Sequence, residues 1–66
     1  MSKLKIERVK KDWTQEKLSN ESGVGRVTIS VIERKGIENT PVKTLKKLAK
    51  ALDTTVQELF FSEEDK

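Results

Sequence analysis

Side chains able to do chemistry are unevenly chosen in this 66-residue chain. It has no His, Cys or Tyr and no glycine-rich phosphate loop. The commonest general base, the thiolate nucleophile and the imidazole and thiolate ligands of a zinc site are therefore missing. No enzymatic activity, metal site or cofactor is expected. What remains is ionic chemistry. Lys and Arg number 14 against 11 Asp and Glu, a net charge of +3, and the excess is not evenly spread. Residues 1–50 hold 13 Lys and Arg against 6 Asp and Glu, a balance of +7, whereas residues 51–66 hold 1 against 5, a balance of −4. A basic body with an acidic tail suits one surface that binds a polyanion and another kept off it. A well-solvated helical surface accounts for Lys-rich helices equally well, so charge alone does not separate the two.

Either surface needs a scaffold, and the length limits that scaffold to one domain. Near this size a folded chain buries only about 60% of the surface it exposes when unfolded, which allows one small core. With no disulfide or zinc to staple it, helical packing or a partner subunit must supply the stability. Leu4, Ile6 and Val9 read as a short amphipathic helix running to about Lys11. The pattern restarts at Trp13-Thr14-Gln15, where the Thr14 hydroxyl is a good N-cap for a second helix from Gln15 to about Ser22. Gly23 ends it, because only Gly takes the left-handed conformation there without a Cβ penalty.

A third helix, from Gly25 or Arg26 to Arg34, puts Ile29 and Ile32 on one side, with Val24 just ahead. Arg26, Val27, Ser30 and Val31 project elsewhere. Lys35-Gly36-Ile37-Glu38-Asn39 reads as a surface loop, and Thr40-Pro41 as an N-cap followed by proline at the first helical position. In the fourth helix Leu45, Leu48, Ala49 and Leu52 fall at i, i+3, i+4 and i+7, with Lys43, Lys46, Lys47 and Lys50 opposite. Thr55-Val56-Gln57-Glu58 fits a capping box opening a short fifth helix to Phe60 or Phe61. Residues 62–66 are too polar to pack and are expected as a flexible acidic tail.

The segment Gln15 to Arg34 thus joins two helices by a very short turn, the spacing of a helix-turn-helix. Such helices must cross steeply, with small Ser19 at the crossing and Gly23 at the bend. Leu18, Val24, Ile29 and Ile32 then lock the pair to the core.

On these residues the sequence resembles the phage repressor and Cro family of regulators, also called Xre-like. The likeness spans nearly the whole chain: Trp13-Thr14-Gln15-Glu16-Lys17-Leu18, Gly23-Val24, Thr28-Ile29-Ser30, Ile32-Glu33-Arg34, Thr44 to Leu52 and Glu58-Leu59-Phe60. It implies an all-α, compact five-helix repressor-like domain over residues 1–61, with helices 2 and 3 as the helix-turn-helix. It further implies a sequence-specific regulator, of repressor or restriction-modification-controller type, whose third helix enters the major groove of an operator in double-stranded DNA.

The resemblance also assigns roles. Gln15 matches a glutamine that contacts the DNA backbone, and helix N-termini favour phosphate in any case. Arg26, Val27, Ser30 and Val31 match groove-facing positions, with Thr28 at the edge. The Arg26 guanidinium can bond guanine O6 and N7 together, and the two valines can contact a thymine methyl. Lys35, Lys43, Asn39 and the residues from Thr40 to Val42 are candidate phosphate contacts. Arg8 and Glu33 match a structural ion pair bracing the first helix against the third, and Trp13 a core plug. Three departures stand out: Gly25 replaces the usual Ser or Thr cap, Asp12 replaces a common Gly, and the loop before Thr40 is one residue longer.

One recognition helix covers too few base pairs for genomic selectivity, so a homodimer on a palindromic operator is expected, with half-sites about 10 bp apart. Leu59 and Phe60 match core positions, which leaves Phe61, with Val56 and Ile37, for the interface. The alternative is a protein-interaction module, antitoxin-like or a developmental regulator, that uses Val27 and Val31 to bind a partner. An antagonist or effector protein is also the expected means of control, beside concentration. Residues 1–5 lead into alternating charge and no run approaches the roughly 20 apolar residues of a membrane span. The location expected is cytoplasmic, nucleoid-associated when DNA is bound.

Overall fold

Hydroxyl caps and glycine stops divide the chain much as its local chemistry dictates. The structure, a computed structural model, describes residues 2–61; the expected acidic tail lies outside the described residues. Five helices follow one another: α1 (Lys3–Lys10), α2 (Gln15–Ser22), α3 (Arg26–Lys35), α4 (Val42–Ala51) and α5 (Val56–Phe60). No strand occurs among the described residues. The domain is all-α, as expected. No helix among the described residues is long and apolar enough to cross a membrane.

Ser2, Thr14 and Thr55 each accept a hydrogen bond from the backbone N–H three residues on, at 3.2, 3.0 and 3.0 Å, and so start α1, α2 and α5. Gly23, at φ 78, closes α2 by donating its N–H to the Ser19 carbonyl. The expected cap of α4 needs correction. Pro41, not Thr40, occupies the N-cap and no side chain caps the helix. The Thr40 N–H instead donates to the Ile37 carbonyl at 2.9 Å, which folds the loop back on itself.

Two aspartates do what glycine usually does. Asp12 follows α1 at φ 59 and Asp53 follows α4 at φ 57, both in the left-handed region. In each case the residue after the aspartate donates its N–H back into the helix, Trp13 to Arg8 and Thr54 to Ala49. The aspartates themselves donate to Val9 and Lys50. This is the Schellman arrangement, normally built on Gly. The replacement of a common Gly by Asp12 therefore has a backbone consequence.

One core holds the helices together. Leu4 from α1, Leu18 from α2, Val24 from the turn, Ile29 and Ile32 from α3, Leu48 and Ala49 from α4, Leu52, and Leu59 from α5 are buried against one another. α2 packs on α3 and α4, α1 on α3 and α5, and α4 on α5. Trp13 lies at the edge of the core, half-buried, with the ammonium groups of Lys11 and Lys17 at 5.5 and 5.9 Å from its ring centroid. It thus packs on the core and stays within reach of two cations.

Candidate nucleic-acid interface

Because Ile29 and Ile32 anchor α3 to the core, the rest of that helix turns outward. Arg26, Val27 and Thr28 are exposed, and Ser30 is half-buried. Val27 leaves 75% of its surface in solvent and Val31 37%, so the outer face of α3 carries two apolar side chains one turn apart. Gly25 caps the helix without a side-chain bond, so the first turn of α3 also keeps unpaired N–H groups outward.

The outer face of α3 does not stand alone. With the loop after it and the first turn of α4 it walls an open cleft of about 390 Å³. Val27, Thr28, Val31 and Lys35 line it from α3, and Asn39 and Thr40 from the loop that follows. Candidate base readers and candidate phosphate contacts, drawn from residues up to 13 positions apart, thus share one concave surface. Arg26 and Ser30 lie on α3 outside the cleft wall, as do Lys43 at the start of α4 and Gln15 at the start of α2. Thr44 and Glu38 also line the cleft, and neither was singled out from the sequence. Thr44 sits three residues after Pro41, one helical turn from a wall residue; for an exposed loop Glu38 no local signal exists.

Backbone donors near Thr40 are fewer than expected. Its own N–H is committed to Ile37, and Pro41 has none. That leaves the Thr40 hydroxyl and the N–H groups of Val42 and Lys43 that open α4 facing outward.

An ionic cluster joins α3 to α1 and α2. Arg8 Nε donates to Glu33 Oε2 at 2.8 Å and Nη2 to Oε1 at 3.0 Å, a bidentate pair between α1 and α3. Arg8 Nη1 donates to the Trp13 carbonyl at 2.7 Å, and Gln15 Nε2 donates to Glu33 Oε1 at 3.1 Å. Burial alone would push the Glu33 carboxyl up. The hydrogen bonds from Arg8 and Gln15 and the charges of Arg8 and Lys5 outweigh it and hold the group below the ordinary glutamate value. The hydrogen bond to Glu33 raises Arg8 in turn, against its own burial.

Val56 and Ile37 do not stand free as expected. Both are half-buried and pack on the core, as does Phe60. Phe61, at the end of α5, is 53% exposed.

Two helices joined through Gly23 to Gly25, the second turning an unpartnered face to solvent, define a helix-turn-helix domain. A helix-turn-helix family model matches residues 4–59, from α1 through α5, and the chain belongs to that family, which is of the Xre and Cro type and comprises DNA-binding transcriptional regulators. No curated protein matches the chain, and no solved structure does.

Proposed function

We propose that the protein is a sequence-specific regulator that binds a palindromic operator as a homodimer, with α3 in the major groove. The observation that carries this reading is the shared cleft. Base edges and the phosphates flanking them lie side by side on a duplex, and the cleft sets Val27, Thr28 and Val31 beside Lys35, Asn39 and Thr40. Arg26, at the solvent-facing start of α3, supplies the guanidinium fork for guanine, and the valines supply contacts to thymine methyls. Ser30 completes the reading face. Gln15 and Lys43, at the N-termini of α2 and α4, extend the phosphate contacts. Phe61 is the centre of the dimer interface, with the exposed edge of Val56. Ile37 is given no part in it, since it packs on the core and its neighbours Gly36 and Glu38 line the cleft.

Selection of binding sites from random duplexes tests this reading. A two-fold symmetric consensus is expected, with log K falling against log salt by about 0.9 per neutralised phosphate. Failure of any duplex to outcompete bulk DNA removes it. The exposure of Val27 and of Val42, 60% in solvent, favours a second reading: a partner protein that docks on this apolar rim. Such an interface would respond weakly to salt.

A further inference from the structure

The α2 N-terminus and the recognition helix α3 belong to different parts of the chain, yet the structure pins them together at two points. Arg8 reaches from α1 to both. It grips Glu33 on α3 with two nitrogens and the Trp13 carbonyl, just before the Thr14 cap of α2, with the third. Glu33 Oε1 then reaches α2 itself by accepting from Gln15 Nε2. No buried side-chain nitrogen or oxygen among the described residues lacks a partner.

The Gln15 amide nitrogen carries two hydrogens, and Glu33 takes one. The other is free to point at an acceptor beyond the cluster. Glu33 fixes the amide plane, and with it the direction of that second N–H. A bare carboxylate beside a phosphate contact would repel the phosphate. Here the carboxylate is only 5% exposed and its charge is met by the bidentate Arg8. The arrangement orients a donor without presenting net negative charge.

Resting on the reading that Gln15 meets a DNA phosphate, we propose that Glu33 is a positioning residue for DNA binding. It holds the Gln15 side chain so that its second N–H faces one backbone phosphate, and Arg8 cancels the charge that would oppose the contact. The same cluster fixes that phosphate contact in register with the reading face of α3, because Glu33 is part of α3. A structural brace between α1 and α3 needs only Arg8 and Glu33. The bond to Gln15 is the part that a brace leaves unexplained.

The test uses a duplex that the full chain selects from a random pool, and the same duplex with an uncharged methylphosphonate at one backbone position at a time. For the wild type, several positions per half-site are expected to be sensitive, and at the one that Gln15 meets neutralisation should weaken binding on the order of tenfold, the worth of one hydrogen bond to a charged group. Gln15→Ala should lose that sensitivity while other positions keep theirs. The paired change Arg8→Met with Glu33→Met removes the cluster without leaving a buried charge, a swap proteins commonly tolerate. It should lose the same sensitivity, and adding Gln15→Ala to it should change nothing more. Glu33→Asp keeps the charge for Arg8 but withdraws the oxygen by one methylene. It should blunt the same position several-fold and serves should the Met pair not fold. A folded Met pair or Glu33→Asp protein with wild-type sensitivity there overturns the proposal, and so does a Gln15→Ala protein whose pattern is unchanged; both leave the DNA reading intact. A wild type that selects no duplex overturns that reading and the proposal with it.

Discussion

Replacing Asp12 by Gly is expected to stabilise the domain, by an amount set at the C-terminus of α1. Asp12 holds φ 59 while its N–H and that of Trp13 donate to the Val9 and Arg8 carbonyls at 2.9 and 3.2 Å. These are backbone bonds and survive the change. Left-handed backbone costs a residue with a Cβ about 1 kcal/mol, the low end of the range applying to Asp. An exposed carboxylate at the carbonyl end of a helix opposes the helix dipole by about 0.4 kcal/mol. Against both, Gly adds freedom to the unfolded chain worth about 0.7 kcal/mol. The net gain is about 0.7 kcal/mol, which for so small a domain raises Tm by about 3–5 °C. Thermal unfolding followed by circular dichroism measures it, with Asp12→Ala as the control. Ala removes the carboxylate but keeps the Cβ, so it should unfold at or below the wild-type temperature. If Ala stabilises as much as Gly, charge and not backbone conformation is the cause; if Gly lowers Tm, the reasoning fails. Asp53→Gly, at φ 57 after α4, should add an independent gain of similar size.

Other consequences are equally direct. Arg26→Ala should relax preference at one base position per half-site, a loss of about 1–3 kcal/mol of discrimination, with Tm unchanged; an unaltered consensus in duplex selection removes Arg26 from the readers. Phe61→Ser should lower the dimer fraction in sedimentation at micromolar concentration, and a monomeric wild type would dismiss the interface altogether. Glu33 titrates below its ordinary value, so its contribution to stability is complete above about pH 4.3 and is lost as the pH falls through the lower folded value. Tm of the wild type should therefore drop more steeply with acid than that of the Arg8→Met, Glu33→Met pair, and parallel curves would show that the ion pair contributes nothing net.

The helices were legible wherever one physical rule acts locally. Leu45, Leu48, Ala49 and Leu52 announce α4 by spacing alone, and Thr14, Gly23 and Thr55 mark their boundaries by what hydroxyls and a missing Cβ do to nearby backbone. Where two outcomes satisfy the same rule, the boundary slipped. Proline fixes φ near −65°, which suits the first helical residue and the cap alike. At Pro41 ψ is 146°, which decides for the cap, and proline does not encode ψ. Asp12 and Asp53 were illegible for a related reason. Asp adopts left-handed backbone only as a minority choice, so nothing in its identity flags the conformation. Ile37 and Val56 pack on the core more closely than expected, because a loop or a five-residue helix has too few turns to show which side faces inward.

Contacts across the fold follow a different logic. Arg8 and Glu33 are 25 residues apart and Gln15 and Glu33 are 18, so no periodicity links them. Family likeness supplied the first pair, and only the helix crossing supplied the second. That crossing is itself fixed by the Gly23 turn and the buried Leu18, Val24 and Ile29, residues with no chemistry of their own. Their packing decides which oxygen Gln15 meets, and hence which way its free N–H faces. In a domain with one small core, the same few apolar contacts must both hold the fold and aim its polar groups. A core substitution that merely rotates α2 on α3 would therefore misdirect the phosphate contact proposed for Gln15 before it unfolds the chain, because a hydrogen bond weakens within tens of degrees while apolar packing is less directional.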